Sequence, residues 1–222
     1  MKHLQLFLVL ALSATIASAQ KPDTIKKNGL TLIYKCNEAS FSPVTKQRLI
    51  DAFFEVYPIE MAEYNPKSLT TVTFFVDTAY KGVAATGGGV VRFYPKWFVL
   101  HPEDIDVVTH EVMHIVQAYG RGNRGAGWVT EGIADYVRNE HGINNEKAGW
   151  KLTDYKASQN YDNSYRITAR FLLWGVKHKN KDLVLKLDDI MRQGKYTPEV
   201  WKDLTGESVE QLWTEYAANP VI

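Results

Sequence analysis

Two short stretches of this chain carry residue types that could do metal chemistry. They are His110-Glu111-Val112-Met113-His114 and, further on, Glu131-Gly132-Ile133-Ala134-Asp135. On a helix, His110 and His114 project from one face about one turn apart, which places two imidazole nitrogens around a single Zn²⁺. Glu111 sits beside them, where a carboxylate can take a proton from a zinc-bound water. A catalytic zinc takes three protein ligands and a water, and Glu131 is the candidate for the third.

The five-residue pattern alone is a weak signal, because a helix with two surface or packed histidines also satisfies it. Its surroundings strengthen it. Val108, Val112, Ile115 and Tyr119 form an apolar stripe, and Val107, Met113 and Val116 extend it, so the helix reads as largely buried. Buried histidines need partners. In the second stretch, Glu131, Asp135 and Arg138 share one helix face, and two carboxylates four residues apart repel unless a cation lies near. Zinc supplies that cation. Glu131 would bind it, and Asp135 would accept the ring N–H of a ligand histidine, His110.

Histidines at this spacing followed by Glu-Gly-x-Ala-Asp-Tyr resemble the gluzincin metallopeptidases. The order Thr109 to Gln117, Glu131 to Arg138, Tyr165 to Phe171, then Gln211-Leu212-Trp213 and Tyr216, is similar to the plant basic secretory protein family and its bacterial relatives. The likeness runs from about residue 30 to the C-terminus. It implies a secreted, zinc-dependent peptidase-like domain with one Zn²⁺ per chain. It also implies an α+β, zincin-like fold: a small mixed sheet over the motif helix, then a helical lobe that delivers Glu131, with zinc in the cleft between. From gluzincins of the aminopeptidase type, the resemblance assigns Tyr165 as a donor to the developing oxyanion. The chain departs from the family's name in charge. It has 26 Lys and Arg against 25 Asp and Glu, a net charge of +1.

That balance gives no sign of a nucleic-acid or anionic-membrane partner. Residues 1–19 read as a signal peptide, with an apolar run from Leu4 to Leu12 and an Ala17-Ser18-Ala19 cleavage pattern. Export to the periplasm or beyond the cell is the expectation, without stable membrane insertion. Residues 20–222 then read as a single domain, with lobes at about 29–120 and 128–222. The lone cysteine, Cys36, allows no internal disulfide and reads as a small residue in a strand. A monomer is the simplest expectation.

The elements that must position the site read as follows. Residues 20–28 read as a loose start and Gly29 to Cys36 as a strand. Pro43 to about Tyr64 reads as a helix capped by Ser42, and Thr70 to Val76 as a second strand. After Gly87-Gly88-Gly89, Val90 to Tyr94 reads as an edge strand forming one rim of the cleft, where an extended peptide could add. Pro102 opens the motif helix, with Glu103, Asp104 and Asp106 at its positive end. Helices follow at about 130–140, 164–178, 181–193, 197–204 and 208–218. Strands come first and helices last, an α+β order without βαβ alternation.

Of the remaining residues, Arg170 could pair with Asp135. His101, His141 and His178 read as surface or capping residues, and Trp128, Trp174, Trp201 and Trp213 as core anchors. The sequence thus points to a zinc peptidase acting on a peptide or protein, with Glu111 as base. The alternative is a non-catalytic, zinc-stabilised secreted protein that binds surface glycans or a host partner. Only the enzyme has a use for Glu111, which binds no metal.

Overall fold

Alternation of Leu30, Leu32 and Tyr34 with more exposed neighbours commits one face of a strand to the core, and all three are buried. The computed structural model that carries this strand describes residues 21–120 and 122–222, so the expected signal peptide lies outside the described residues. Among the described residues there are five strands, β1 (Asp23–Lys27), β2 (Leu30–Cys36), β3 (Thr71–Val76), β4 (Ala84–Gly87) and β5 (Val90–Phe93). They form one mixed sheet in the order β1-β2-β3-β5-β4. The two outer pairs are antiparallel and the two inner pairs parallel.

Two readings of the sequence change here. The loose start is strand β1, joined to β2 through Asn28 and Gly29, both at positive φ, the pair that suits a tight hairpin turn. Val90 to Phe93 is not an edge strand; it lies between β3 and β4. The edge is β4, which a sequence as bland as Ala-Ala-Thr-Gly does not announce. Gly88 and Gly89, with φ of 56° and 74°, form the turn that folds β4 onto β5.

Helix α1 (Pro43–Glu63) begins where Ser42 caps Thr45 N–H at 3.2 Å, with Pro43 in the first turn. It joins two parallel strands, so β2-α1-β3 is one βαβ unit inside an otherwise α+β order. The helix lies against the buried face of the sheet. Phe53 of α1 meets Phe74 of β3 edge-on, Phe74 meets Phe93 of β5, and Phe93 meets Phe98. Phe98 belongs to a short helix, α2 (Pro95–Leu100), that the sequence reading lacked.

The motif helix α3 spans Val107–Gln117 and starts later than Pro102. The acidic residues before it hold loops instead. Glu103 pairs with Arg48 at 2.7 Å, and the Asp106 carboxylate accepts the backbone N–H groups of Ile143 and Asn144 at 2.8 and 2.6 Å. The second lobe contains α4 (Gly127–His141), α5 (Asn145–Ala148), α6 (Tyr165–His178), α7 (Leu183–Arg192), α8 (Val200–Thr205) and α9 (Val209–Ala218). Trp128 and Phe171 stack on the fully buried Trp201, and Trp213 packs edge-on to Phe171, so the tryptophans do anchor this lobe. Helices α4 and α6 approach so closely at Gly132 that a Cβ there would lie 2.2 Å from Thr168 Cγ2. Among the described residues no helix is long and apolar enough to cross a membrane.

Candidate metal centre

Helix α3 packs between α1 and α4, and every residue in it except His114 is buried. His110 and His114 leave it on the side facing α4, which brings Glu131 to them. His110 Nε2 and His114 Nε2 are 3.2 Å apart; Glu131 Oε2 lies 3.2 Å from the first and 3.5 Å from the second. Three donors around zinc at bond lengths of about 2.0–2.2 Å in tetrahedral geometry would stand about 3.3–3.6 Å apart. The triangle therefore has the size that zinc requires.

The hydrogen bonds behind the rings fix what the triangle presents. His110 Nδ1 is 2.7 Å from Asp135 Oδ1, and a carboxylate oxygen can only accept, so this nitrogen carries the proton. His114 Nδ1 is 2.7 Å from Gln117 Oε1. The Gln117 amide is oriented by its Nε2, which donates to Thr130 O at 2.9 Å, so His114 also donates through Nδ1. Both Nε2 atoms then turn lone pairs toward the Glu131 carboxylate. Three acceptors at this separation need a cation among them.

Without a metal, a proton takes that place. Burial alone would lower the His110 imidazole, but the Asp135 and Glu131 carboxylates outweigh it and raise the ring to about 10. Burial alone would raise Glu131, yet its hydrogen bonds to His110 and His114 hold it at about 2. Metal ions and protons therefore compete for one position.

Glu111 is buried beside His110 but is outside the triangle. Thr86 of β4 reaches it: the Thr86 hydroxyl is 2.7 Å from Glu111 Oε2 and 3.0 Å from the Glu111 carbonyl oxygen. Tyr165, the first residue of α6, is 55% exposed and stacks its ring 6.1 Å from that of His110. It is held there by two consecutive residues at positive φ, Ser164 at 63° and Tyr165 at 50°. Such backbone costs about 1–3 kcal/mol per residue and gathers at functional sites. The Glu131 carboxylate, and then burial, raise the Tyr165 phenol above its ordinary range.

All of these groups line one cleft of about 1120 Å³. Its rim on the sheet side is the edge strand β4. Tyr94 N–H donates to Val83 O at 3.1 Å, so by antiparallel alternation the backbone of Thr86 points away from β5 and into the cleft.

The structure brings His110, Glu111, His114, Glu131, Asp135 and Tyr165 together. It does not bring Arg170, which donates to Pro220 O at 3.0 Å and lies 3.8 Å from Asp154 rather than pairing with Asp135. His141 pairs with Glu63 and His178 bonds to Val221 O, whereas His101 packs with a tilted ring against Trp97 in the cleft wall. The sequence reading missed Gln117 and Thr86. Gln117 had a local signal, since a residue three positions after a helical histidine lies on its face. Thr86 had none, because its role depends on how the sheet edge meets α3.

The family model described as peptidase of plants and bacteria (BSP) matches residues 38–216. No curated protein matches the chain. Among solved structures, the chain is similar to a two-domain M1 zinc metallopeptidase mutant with L-tryptophan bound (10% identity, TM-score 0.49), covering 90% of this chain and 51% of that one. It is also similar to an M1 zinc metallopeptidase mutant from Deinococcus radiodurans (10% identity, TM-score 0.48), covering 90% and 52%. The chain spans about half the length of these proteins.

Proposed function

Because the chain belongs to the peptidase family of plants and bacteria, we propose that it is an exported zinc peptidase of gluzincin type with a zincin-like fold. His110, His114 and Glu131 are the ligands of one zinc ion. The observation that carries this reading is the triangle of acceptor atoms 3.2–3.5 Å apart, with a carboxylate beside it that is not part of it.

Zinc held there would supply Lewis-acid chemistry, lowering the pKa of a water and polarising a peptide carbonyl. The remaining work falls to the chain's own groups. Glu111 takes the proton from the attacking water and returns it to the departing amine. Thr86 holds the Glu111 carboxylate toward the cleft. Asp135 and Gln117 keep the histidine rings in one orientation and one tautomer. The Tyr165 hydroxyl donates to the oxygen of the tetrahedral intermediate. The outward backbone of Thr86 gives an extended peptide a strand to pair with, which carries its scissile bond past Glu111. Export rests on the segment at residues 1–19, and mature protein beginning at Gln20 by mass spectrometry is the expected result.

The test is Glu111→Gln, which keeps size and hydrogen bonding and removes the base. The variant should hold one zinc per chain and melt with the parent, yet lose at least about 10²-fold in chelator-sensitive peptide hydrolysis. Hydrolysis as fast as the parent's would refute the role of Glu111. Tight zinc binding with no hydrolysis of any peptide would instead support the zinc-stabilised binding protein.

A further inference from the structure

A second cavity, of about 160 Å³, lies where the end of β2 meets the start of α1. Among the described residues it shares none of its lining with the metal cleft. Tyr34 and Cys36, the chain's one cysteine, both line it. They are two residues apart on β2, so their side chains leave the same face of the strand. Cys36 is partly buried, and its thiol donates to Glu38 O at 3.2 Å. Lys46, in the first turn of α1, stands over the Tyr34 ring with Nζ 4.9 Å from the centroid, and it pairs with Asp23. Lys21 and Glu38 complete a charged rim.

The Tyr34 hydroxyl points to a ligand. The residue is 4% exposed, and its hydroxyl has no hydrogen-bond partner among the described residues. Burial, and then the neighbouring Cys36, push the phenol well above its ordinary range, so it stays protonated. It is therefore a buried donor without an acceptor, a costly condition that folded chains relieve with a partner. The rim defines the chemistry of that partner. Lys21 and Lys46 suit a carboxylate, Asp23 and Glu38 suit an ammonium, and the thiol lies among them.

We propose that Cys36 is a modification site that takes up a small zwitterionic thiol, of the amino-acid type, as a mixed disulfide seated in this cavity. The reaction is thiol–disulfide exchange with the symmetrical disulfide of that small thiol. The Cys36 thiolate attacks one of its sulfurs, the old S–S bond breaks as the new one forms, and the departing half leaves as a thiolate that takes the proton Cys36 gave up. The half that stays turns its carboxylate to the Tyr34 O–H and Lys46, and its ammonium to the acidic side of the rim. A second copy of the chain is a poorer partner. A disulfide needs its Cα atoms about 4.4–6.8 Å apart, and the start of α1 stands beside the face from which Cys36 projects. The site is independent of the peptidase reading. Export as proposed above would bring it to an oxidising compartment, where disulfides persist.

The test exposes purified, reduced protein to cystine, to cystamine, which lacks the carboxylates, and to dithiodiglycolate, which lacks the ammonium groups. Intact mass follows the adduct. Each rate is divided by that of the same disulfide with the urea-unfolded chain, which removes differences in intrinsic reactivity. Cystine should leave one cysteinyl group on the parent and none on Cys36→Ser. Its normalised rate should exceed those of the other two at least about threefold, the scale of an exposed ion pair. Tyr34→Phe removes only the hydroxyl and should lower the cystine rate at least about threefold. Lys46→Met, at the rim, should bring cystine down to the level of cystamine, and it tests the claim whether or not Tyr34→Phe folds. Equal normalised rates for the three disulfides overturn the proposal. So do a folded chain that takes no cysteinyl group, one that links to a second copy instead, and a cystine rate unchanged in Lys46→Met or in folded Tyr34→Phe.

Discussion

The partners behind the two ligand histidines differ in charge but not in distance, and this sets an order that can be measured. Asp135 Oδ1 and Gln117 Oε1 each lie 2.7 Å from a ring Nδ1. A hydrogen bond to a charged group contributes about 1.5–3 kcal/mol and a neutral one about 0.5–1.5 kcal/mol. At about 1.4 kcal/mol per tenfold, Asp135→Ala should weaken zinc binding roughly 10–100-fold and Gln117→Ala roughly 2–10-fold. Asp135 is 5% exposed and His110 9%, so water cannot readily replace the lost acceptor, and the upper part of the first range applies. The same Asp135 carboxylate also holds the competing proton on His110, whose ring it helps raise to about 10. Removing it relieves that competition at low pH, so the deficit in Asp135→Ala should grow as pH rises from 6.5 to 8.5. Competition against a fluorescent zinc chelator at several pH values measures both effects, with circular dichroism confirming the fold. A Gln117→Ala loss larger than that of Asp135→Ala would refute the assignment of orienting roles, and so would a change of less than twofold in both.

Three further outcomes follow from the packing. Gly132→Ala should destabilise the chain by about 1–3 kcal/mol and weaken zinc binding, because its Cβ would push Thr168 away and Glu131 sits on the same turn; denaturant titration should show the midpoint fall, and an unchanged midpoint would contradict the close α4–α6 contact. Glu60 of α1 is fully buried with neither carboxylate oxygen hydrogen-bonded among the described residues, and burial raises its pKa well above 4.5. A raised carboxyl favours folding below its unfolded pKa, and that contribution is lost as pH rises from about 4.5 through the folded value, at up to about 1.4 kcal/mol per pH unit. Glu60→Met should therefore flatten the fall of unfolding free energy between pH 5 and 7, and an equal slope in both proteins would contradict it. Ser164→Gly should stabilise by about 1 kcal/mol, since φ of 63° costs glycine little and the Ser164 side chain makes no cap bond; a lower melting temperature would count against strain at that position.

The sequence alone determined the parts of this protein that depend on spacing along one element. His110 and His114 are one helical turn apart wherever the helix lies, and Glu131 and Asp135 share a face for the same reason. The capped start of α1 and the alternation in β2 are equally local. Family membership, read from the order of four motifs, also lay in the sequence, and the family comparison bears it out over residues 38–216. What the sequence could not determine depends on which elements meet. The edge of the sheet is β4 rather than β5 because the chain returns to place β5 beside β3, a pairing decided by long-range backbone hydrogen bonds. The motif helix starts at Val107 because Asp104 and Asp106 find partners on α4 and beyond it, in Arg138, Ile143 and Asn144, which outweighs a favourable place at a helix N-terminus. Thr86 against Glu111, and Trp97 joined to Trp150 through Asp104 and Arg138, each need two segments distant in sequence to be packed side by side. Local patterns fix what a segment can offer, and only tertiary contact decides which of its groups face one another.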